Sequence, residues 1–313
     1  METADHQPRL PCPGRNADEY FMQSGEVPIL GRSPLPPWRY YGWLCLQVQR
    51  IHKEAAQAGV FPDRWGYYYT TLENGALLPD PIPPVTFKDA RGGAARKNLA
   101  KCLDIIACKE GGWGALTHLV EWLAYGLGVS DTDCRLDDGL CEKLYRTLDL
   151  CHWLREPSDH LGALAAERFG GGPHAFFPTP HHICEVMMRI QMERRNEDLR
   201  DKLVMEPALG TGRMLLAASN YSMRLCGVDI DQQVLLMAKC NFAVYAPWAL
   251  YGLPFERVSQ ALQVATLASK VQVLAEAVAP PSSPAAPASP ASASPLAAPA
   301  APAAGRYVQR SLF

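Results

Sequence analysis

The feature that most constrains the fold is the stretch Leu203–Asp231, which reads LVMEPALGTGRMLLAASNYSMRLCGVDID. The apolar run Leu203–Met205 predicts a short buried strand, and a helical pattern after Gly212 leads to a second predicted strand, Leu225–Val228. Strand, glycine turn, helix, strand and terminal acid follow one another as in the first half of a nucleotide-binding unit. We therefore expect an α/β element here, with the rest of the chain arranged around it.

The turn itself indicates which nucleotide it would bind. Gly210 and Gly212 are expected to let the backbone approach a ligand, and Asp229 at the tip of the second strand can accept two ribose hydroxyls. The spacing matches neither GxGxxG nor GxxxxGK[ST], so neither a dinucleotide nor a P-loop triphosphate is favoured. Glu206 ahead of the glycines would repel a pyrophosphate but suits the amino group of a methionine moiety. The pattern therefore predicts S-adenosylmethionine as the cofactor.

The segment Glu206–Gly212, EPALGTG, resembles the DPACGTG motif of adenine-specific DNA methyltransferases, the N-6 DNA methylases. The similarity is closest to the modification subunits of type I restriction systems. Phe176–Pro180, FFPTP, resembles the family's F-[FY]-T-P element, which walls the cofactor pocket. Two further elements resemble the family's lead-in and a following helix: Asp159, Leu161, Gly162, Glu167 and Phe169 in the first, and Ala238, Asn241 and Tyr245 in the second. The resemblance covers about Asp159–Trp248.

The resemblance implies a partial Rossmann-like core that binds S-adenosylmethionine, with DNA as the partner. Its reaction would be the transfer of a methyl group to the exocyclic amino group of adenine. Carried over position by position, the cofactor-binding residues would be Phe177, Thr179, Pro180, Glu206, Ala208, Gly210, Gly212, Asp229 and Ile230.

The family's catalytic motif, [ND]-P-P-[YFW], is not recognisable in this sequence. Ala246-Pro247-Trp248 and Leu253-Pro254-Phe255 each place an aromatic after a proline, but neither has the required acid or amide. The later strands of a seven-stranded methyltransferase sheet are also missing from the pattern, so no catalytic residue is assigned. Four alternatives stay open: a methyltransferase active alone or with a completing subunit, a non-catalytic cofactor-binding or DNA-associated protein, a structural remnant, and a methyltransferase for RNA or protein.

The C-terminal region has a different composition. Residues 280–304 are almost only Ala, Pro and Ser, which predicts a disordered tether. The last five residues, Gln309–Phe313, resemble the peptide QL[SD]LF that docks bacterial proteins onto the DNA polymerase sliding clamp. Leu312 and Phe313 would fill an apolar pocket with Gln309 at its rim, although Arg310 departs from the motif and a chance match is the alternative.

Four regions are predicted: 1–37 disordered, 38–170 a helical N-terminal domain, 171–278 the incomplete cofactor-binding domain, and 279–313 the tether. Apolar residues at helical period predict helices over about 38–58, 96–109, 113–127, 138–155, 232–245 and 256–277. Another helix is expected after Thr179, with Thr179 as its N-cap and Pro180 at its first position. The segment Trp65–Phe87 is expected to be a loop or an edge hairpin, and a short strand is expected over about Ala249–Phe255.

Composition narrows the functional classes further. A net charge of −2 argues against a general attraction for nucleic acid, so DNA binding would need a local patch. The basic cluster Arg91–Lys97, with Lys101, is either such a phosphate contact or a solvated helix end. The ten cysteines contain no CxxC pair, which argues against zinc and favours reduced thiols in the cytoplasm. No apolar run reaches the length of a membrane span, so no membrane partner is expected.

Overall fold

The computed structural model describes residues 35–89, 92–109, 112–132, 134–169, 177–192, 197–253 and 310–311. After a 3₁₀ turn, Pro37–Arg39, the α-helices are α1 Trp43–Gln57, α2 Arg64–Asn74, α3 Ala94–Ala107, α4 Trp113–Gly126, α5 Asp138–Thr147, α6 Cys151–Arg155, α7 His160–Phe169, α8 His181–Met192, α9 Arg213–Ala218, α10 Gln232–Tyr245 and α11 Trp248–Tyr251. The strands are β1 Leu203–Glu206, β2 Arg224–Asp229 and β3 Arg310–Ser311. The described chain is mostly helical, with one small sheet.

The sheet has the order β1-β2-β3. β1 and β2 are parallel, with Leu203 opposite Arg224 and Glu206 opposite Gly227. β3 runs antiparallel to the end of β2, where Asp229 is opposite Arg310. The predicted strand–turn–helix–strand unit is confirmed as a local arrangement, because α9 connects two neighbouring parallel strands. The described residues contain this short parallel pair and no larger Rossmann-like sheet.

The helices around the sheet share one continuous core with it, and the described residues up to Leu253 belong to a single compact unit. α10 is central to this core, because ten of its fourteen residues are buried. Trp65 donates its indole N–H to Ala243 O at 3.0 Å, and the Tyr245 hydroxyl donates to Trp153 O at 3.0 Å. Buried hydrogen bonds of this kind fix how the helices that precede the sheet in the sequence pack against α10.

Arg64 provides another such link and has an unusual environment. Its guanidinium is fully buried, donates to Ser219 O at 2.5 Å and lies 4.5 Å from the centre of the Trp248 ring. Burial disfavours the charged form, so the pKa of Arg64 is lowered to about 9. The aromatic face and the carbonyl compensate part of that cost.

Three sequence predictions of local structure were wrong. The segment 65–87 contains α2, because Asp63 caps its start by accepting from Gly66 N at 2.8 Å and Gly75 ends it in a left-handed conformation. The prolines that suggested a loop all lie beyond this helix. The strand expected around Ala249–Phe255 is helix α11 as far as Tyr251, because Pro247 has right-handed helical dihedrals and Gly252 ends the turn.

The single helix predicted over 138–155 is two helices, α5 and α6. Leu148 between them is extended, with φ −63° and ψ 130°. The Asn98 side chain of α3 donates to Thr147 O at 2.7 Å and accepts from Asp149 N at 2.9 Å, so it satisfies the main chain on both sides of the break. A distant side chain thus stabilises an interruption that the apolar period does not indicate.

The helix predicted over 38–58 begins five residues late, at Trp43, because Gly42 with φ 74° separates it from the 3₁₀ turn. The helices predicted over 96–109, 113–127 and 232–245 lie within two residues of their predicted bounds. The predicted helix over 232–245 coincides with α10, and 113–127 differs from α4 by one residue. The helix expected over 256–277 and the glycine run 170–172 lie outside the described residues. None of the helices within the described ranges has the length and apolar character needed to cross a bilayer.

Candidate functional site

The glycine turn joins the end of β1 to the start of α9. Gly210 has φ 57° and Gly212 has φ 88°, both in the left-handed region that favours glycine. Gly212 occupies the N-cap position of α9, which begins at Arg213. These two left-handed conformations, at Gly210 and Gly212, turn the backbone from the end of β1 into the start of α9 at the carboxyl edge of the sheet.

Asp229 closes this turn from the end of β2. Its Oδ2 accepts a hydrogen bond from Gly210 N at 2.8 Å, and its Oδ1 accepts one from Asp231 N at 3.0 Å. The side chain is half-buried, and each carboxylate oxygen offers a second lone pair. Asp229 is therefore held in place by main-chain donors and retains capacity to accept from a ligand.

Glu206 lies at the end of the neighbouring strand. Its Oε1 accepts from Ala208 N at 3.1 Å, so its carboxylate is turned toward the exposed first part of the turn. Parallel pairing places the ends of β1 and β2 at one edge of the sheet. The structure thus brings together five of the predicted cofactor-binding residues around a single turn, namely Glu206, Ala208, Gly210, Gly212 and Asp229.

The two glycines have different physical roles. A Cβ on Gly212 would lie 2.8 Å from Phe242 Cζ and 3.5 Å from Ala238 Cβ, both on α10. Glycine is therefore required at 212 by the packing of α10 and by its positive φ. Gly210 is half-buried, donates its N–H to Asp229, and lies on the accessible side of the turn.

The inner side of the turn is filled by the chain's own side chains. Leu209 is 4% exposed and packs on Gly227 of β2, where an added Cβ would lie 2.7 Å from Leu209 Cδ1. Thr211 is 2% exposed and turns toward the helical region. A ligand at this turn can approach only from the outer side, where Pro207 and Ala208 are exposed and Gly210 is half-buried.

Beneath the turn, Asp159 is fully buried and accepts several hydrogen bonds. Its Oδ2 accepts from Thr211 Oγ1 at 2.5 Å and from Arg213 Nε at 2.8 Å, and its Oδ1 accepts from Asn241 Nδ2 at 2.9 Å. Oδ1 also accepts from Gly162 N at 2.8 Å, which caps the start of α7. One carboxylate therefore connects α7, the glycine turn, α9 and α10.

The protonation states in this cluster follow from burial and charge. Burial alone would raise the pKa of Asp159, but the charge of Arg213 and the hydrogen bonds from Thr211, Arg213 and Asn241 outweigh it, so the pKa is lowered. Burial lowers the pKa of His181 to about 4. Neutral His181 Nε2 accepts from Asp159 N at 3.0 Å, which assigns its ring proton to Nδ1.

The sequence flagged Asp159 and Asn241 through the family resemblance but gave neither a role. Arg213 and His181 were missed, and so was Asp89, whose Oδ1 is 3.4 Å from Arg213 Nη1. Arg213 follows Gly212 and His181 precedes His182, and neither local sequence carries a signal that a buried acid lies opposite.

The predicted wall of the pocket is brought to the turn through its main chain. Thr179 O accepts from Arg213 Nη1 at 3.1 Å, which holds the segment before α8 against the start of α9. Pro180 O accepts from Ile183 N and Cys184 N, so Pro180 is the N-cap and α8 begins at His181. The prediction of Thr179 as the N-cap was therefore wrong by one residue. Phe177 and Ile230 are 78% and 62% exposed and leave their side chains at the outer surface.

Two described parts of the basic cluster are bound to carboxylates of the chain. Arg96 is 4% exposed and donates to Glu167 Oε2, while Ala94 N at the start of α3 donates to Glu156 Oε1 at 3.2 Å. The helix end that would attract a phosphate already binds a carboxylate of the chain. Arg91 and, at the C-terminus, Gln309, Leu312 and Phe313 lie outside the described residues.

Other features of the described residues set limits on the site. Two hollows lie elsewhere on the described surface: one is lined by Phe87, His181 and Tyr221, the other by Pro79, Leu199 and Tyr221. Neither is lined by the glycine turn. The described cysteines are all free thiols, most of them buried, and no cluster of metal-ligating side chains is found among the described residues.

No protein-family model, no curated protein and no solved structure matches this chain.

Proposed function

We propose that this protein binds S-adenosylmethionine at the turn formed by Glu206–Gly212 and Asp229, and that it is a DNA methyltransferase-like protein whose reaction would be methyl transfer to the exocyclic amino group of adenine. The observation that carries the proposal is Asp229. It is the last residue of the second strand of a parallel β–α–β unit, is fixed by two backbone N–H groups, and is half-buried with a second lone pair on each oxygen.

The chemistry of the cofactor fits this arrangement. A ribose diol needs a paired acceptor, and a carboxylate whose rotamer is already fixed loses little entropy when it accepts two hydroxyls. The cofactor's methionine amino group is cationic, and Glu206 presents a carboxylate at the adjacent strand end. A pyrophosphate would meet two acids and no Lys or Arg of the turn directed outward, since Arg213 points inward to Asp159. These properties support S-adenosylmethionine over a dinucleotide.

Calorimetry with S-adenosylmethionine tests the cofactor proposal. The wild-type chain should bind, and Asp229→Ala should lose roughly tenfold or more in affinity, because a charge-assisted pair of hydrogen bonds is worth about 1.5–3 kcal/mol. Asp104→Ala removes an acid that is 59% exposed on α3 and should leave the affinity unchanged. Absence of wild-type binding would leave only a structural role for the turn.

A second candidate, a catalytically inactive cofactor- or DNA-associated protein tethered to the replication sliding clamp, is favoured by one observation. The sequence contains no [ND]-P-P-[YFW] motif, whose polar side chain and aromatic would hold a flipped adenine. Incubation with unmethylated DNA and tritiated cofactor separates the two. Labelled DNA supports the enzyme, whereas intact cofactor binding without label supports the inactive protein.

The clamp interaction is tested separately by deletion. Removal of Gln309–Phe313 should abolish pull-down by purified sliding clamp, because the terminal peptide supplies both apolar anchors, Leu312 and Phe313. A second variant, in which Leu312 and Phe313 are replaced by Ala within the full-length chain, should show the same loss of pull-down. Unchanged pull-down would exclude the peptide as a docking element.

A further inference from the structure

One face of α8 is apolar and exposed. Ile183, Val186, Met187 and Ile190 are 41%, 52%, 41% and 53% exposed. Their spacing of three, four and seven residues makes a single stripe, while His181, Cys184 and Met188 on the other face are buried. Such a stripe on the surface of a helix marks an interaction face, because scattered single apolar residues would not align in this way.

β1 is exposed in a different way. It is the edge strand of the described sheet and forms its ladder with β2 alone among the described strands. All four of its residues are only half-buried. An edge strand presents main-chain N–H and C=O groups on its free side, and these groups are satisfied by another extended strand.

Both ends of α8 lie near β1. The start of α8 lies at the carboxyl end of β1, because Thr179 O accepts from Arg213 just after the glycine turn. The end of α8 lies near the start of β1, because Met192 and Leu199 line the same hollow. α8 therefore runs antiparallel to β1 and packs on α9, which contacts both strands, whereas α10 and α11 contact β2.

We propose that this combined surface binds a second copy of the same chain. A two-fold axis perpendicular to the sheet beside β1 would pair the two β1 strands antiparallel, and the same operation would place the two α8 helices antiparallel on one face of the joined sheet. One symmetry operation thus pairs the free edge of β1 and covers the apolar stripe of α8. A partner of another kind would need a free strand and an apolar helix in the same relation.

The sequence of each element suits this self-pairing. The stripe is centred between Val186 and Met187, so an antiparallel copy brings Ile183 opposite Ile190 of the second copy. β1 is preceded by Lys202 and ends in Glu206, so antiparallel pairing in the register centred on Val204 brings Lys202 of one copy opposite Glu206 of the other. On α8, Glu185 and Arg189 already form an ion pair at 2.6 Å, so this neighbouring pair carries no net charge into the interface.

Light scattering with size-exclusion chromatography of the full-length chain tests the proposal. The wild type should elute with twice the chain mass of 34.4 kDa. Val186→Glu should be monomeric with an unchanged far-ultraviolet circular dichroism spectrum, because the side chain is exposed in the single copy. Leu46→Glu, at another exposed apolar position on α1 that is 60% exposed, should remain dimeric.

Hydrogen exchange distinguishes the strand pairing from a helix contact alone. The amides of Val204–Glu206 should exchange roughly tenfold faster in Val186→Glu than in the wild type, because the free edge then returns to solvent. A monomeric wild type, a dimeric Val186→Glu or a monomeric Leu46→Glu would each overturn the proposal. A dimer whose β1 amides exchange no faster after dissociation would overturn the pairing of the strands. The proposal does not depend on cofactor binding.

Discussion

The two sides of the glycine turn use carboxylates in opposite ways. On the inner side, Asp159 is fully buried and its oxygens accept from Gly162, Thr211, Arg213 and Asn241. On the outer side, Asp229 is half-buried, accepts only main-chain N–H groups in the described contacts, and faces solvent. The hydrogen bonds of Asp159 all stabilise the fold, whereas Asp229 is held in place and can still accept further hydrogen bonds.

The donors that surround each carboxylate indicate whether that acid serves the fold or is available to a ligand. A carboxylate that is fully surrounded by side-chain donors of its own chain can accept nothing more, and its removal leaves those donors buried and unpaired. A carboxylate that is fixed through the main chain alone can still serve a ligand. Stability should therefore respond most to the inner side, and ligand affinity most to the outer side.

The largest expected effect is on the inner side. Asp159→Ala should lower the free energy of unfolding by about 3–5 kcal/mol, because it leaves the buried Arg213 guanidinium without its carboxylate. Urea denaturation measures the change. Asp104→Ala, which removes an exposed partner of Arg168, should stay within about 0.5 kcal/mol of the wild type. Equal effects of the two variants would mean that the buried Asp159 stabilises the fold no more than an exposed acid does.

Gly212 gives the next largest effect and tests whether this glycine serves packing. Gly212→Ala should cost about 2 kcal/mol, because its φ of 88° is unfavourable and its Cβ would lie 2.8 Å from Phe242 Cζ. Gly59→Ala shares the positive φ but has no neighbour within 4 Å, so it should cost only about 1 kcal/mol. The double variant Gly212→Ala with Phe242→Leu should lose less than the sum of the single losses. Additive losses would contradict the steric argument.

The outer side of the turn could be read from the sequence, because its signals are local. The acid, the two glycines and the second acid fall within a single strand–helix–strand unit, and the observed strands extend those predicted from Leu203 and Leu225 by one or two residues. α10 was predicted with its observed bounds because Asp231 caps its start. In such segments, residues near in sequence determine the conformation.

The inner side could not be read in this way. Thr211 and Asn241 lie 52 and 82 positions from Asp159, and only the folded chain brings them to one carboxylate. The break between α5 and α6 has the same origin, because Asn98 satisfies it from another helix. Helix α2 was missed for a local reason, since downstream prolines and an aromatic run masked its Asp63 and Gly75 caps.

The response of stability to pH tests the inner side without removing its acid. His181 has a pKa of about 4 in the folded chain, below its ordinary value of 6.5, because it is buried. The unfolded chain therefore takes up the proton first as the pH falls. The stabilising contribution is complete above pH 6.5 and declines between 6.5 and 4, by about 1.4 kcal/mol per pH unit for one histidine.

Urea denaturation at pH 7.5, 6.5 and 5.5 measures this decline. Burial also lowers the pKa of His52 to about 3 and that of His160 to about 4, so the wild-type loss should exceed that of one group. His181→Gln should show a shallower decline, whereas His182→Gln, at a side chain that is 70% exposed, should match the wild type. The lowered pKa of Asp159 contributes only below its unfolded value, about 3.9, so it does not affect this window. A flat profile would mean that His181 is not buried and neutral.

The smallest effect concerns Asp231, an outer acid with a structural role. It caps α10 by accepting from Gln233 N at 2.8 Å, so Asp231→Ala should cost about 1 kcal/mol in unfolding free energy. Because Asp231 donates to Asp229 through its main chain, the alanine variant keeps that bond and should retain the wild-type affinity for S-adenosylmethionine. Asp229→Ala, two positions earlier, should show the opposite balance, with the larger change in calorimetry. If Asp231→Ala also abolished binding, both outer carboxylates would be needed for the affinity. The roles of Asp229 and Asp231 could then not be separated, and only the inner and outer sides of the turn would differ.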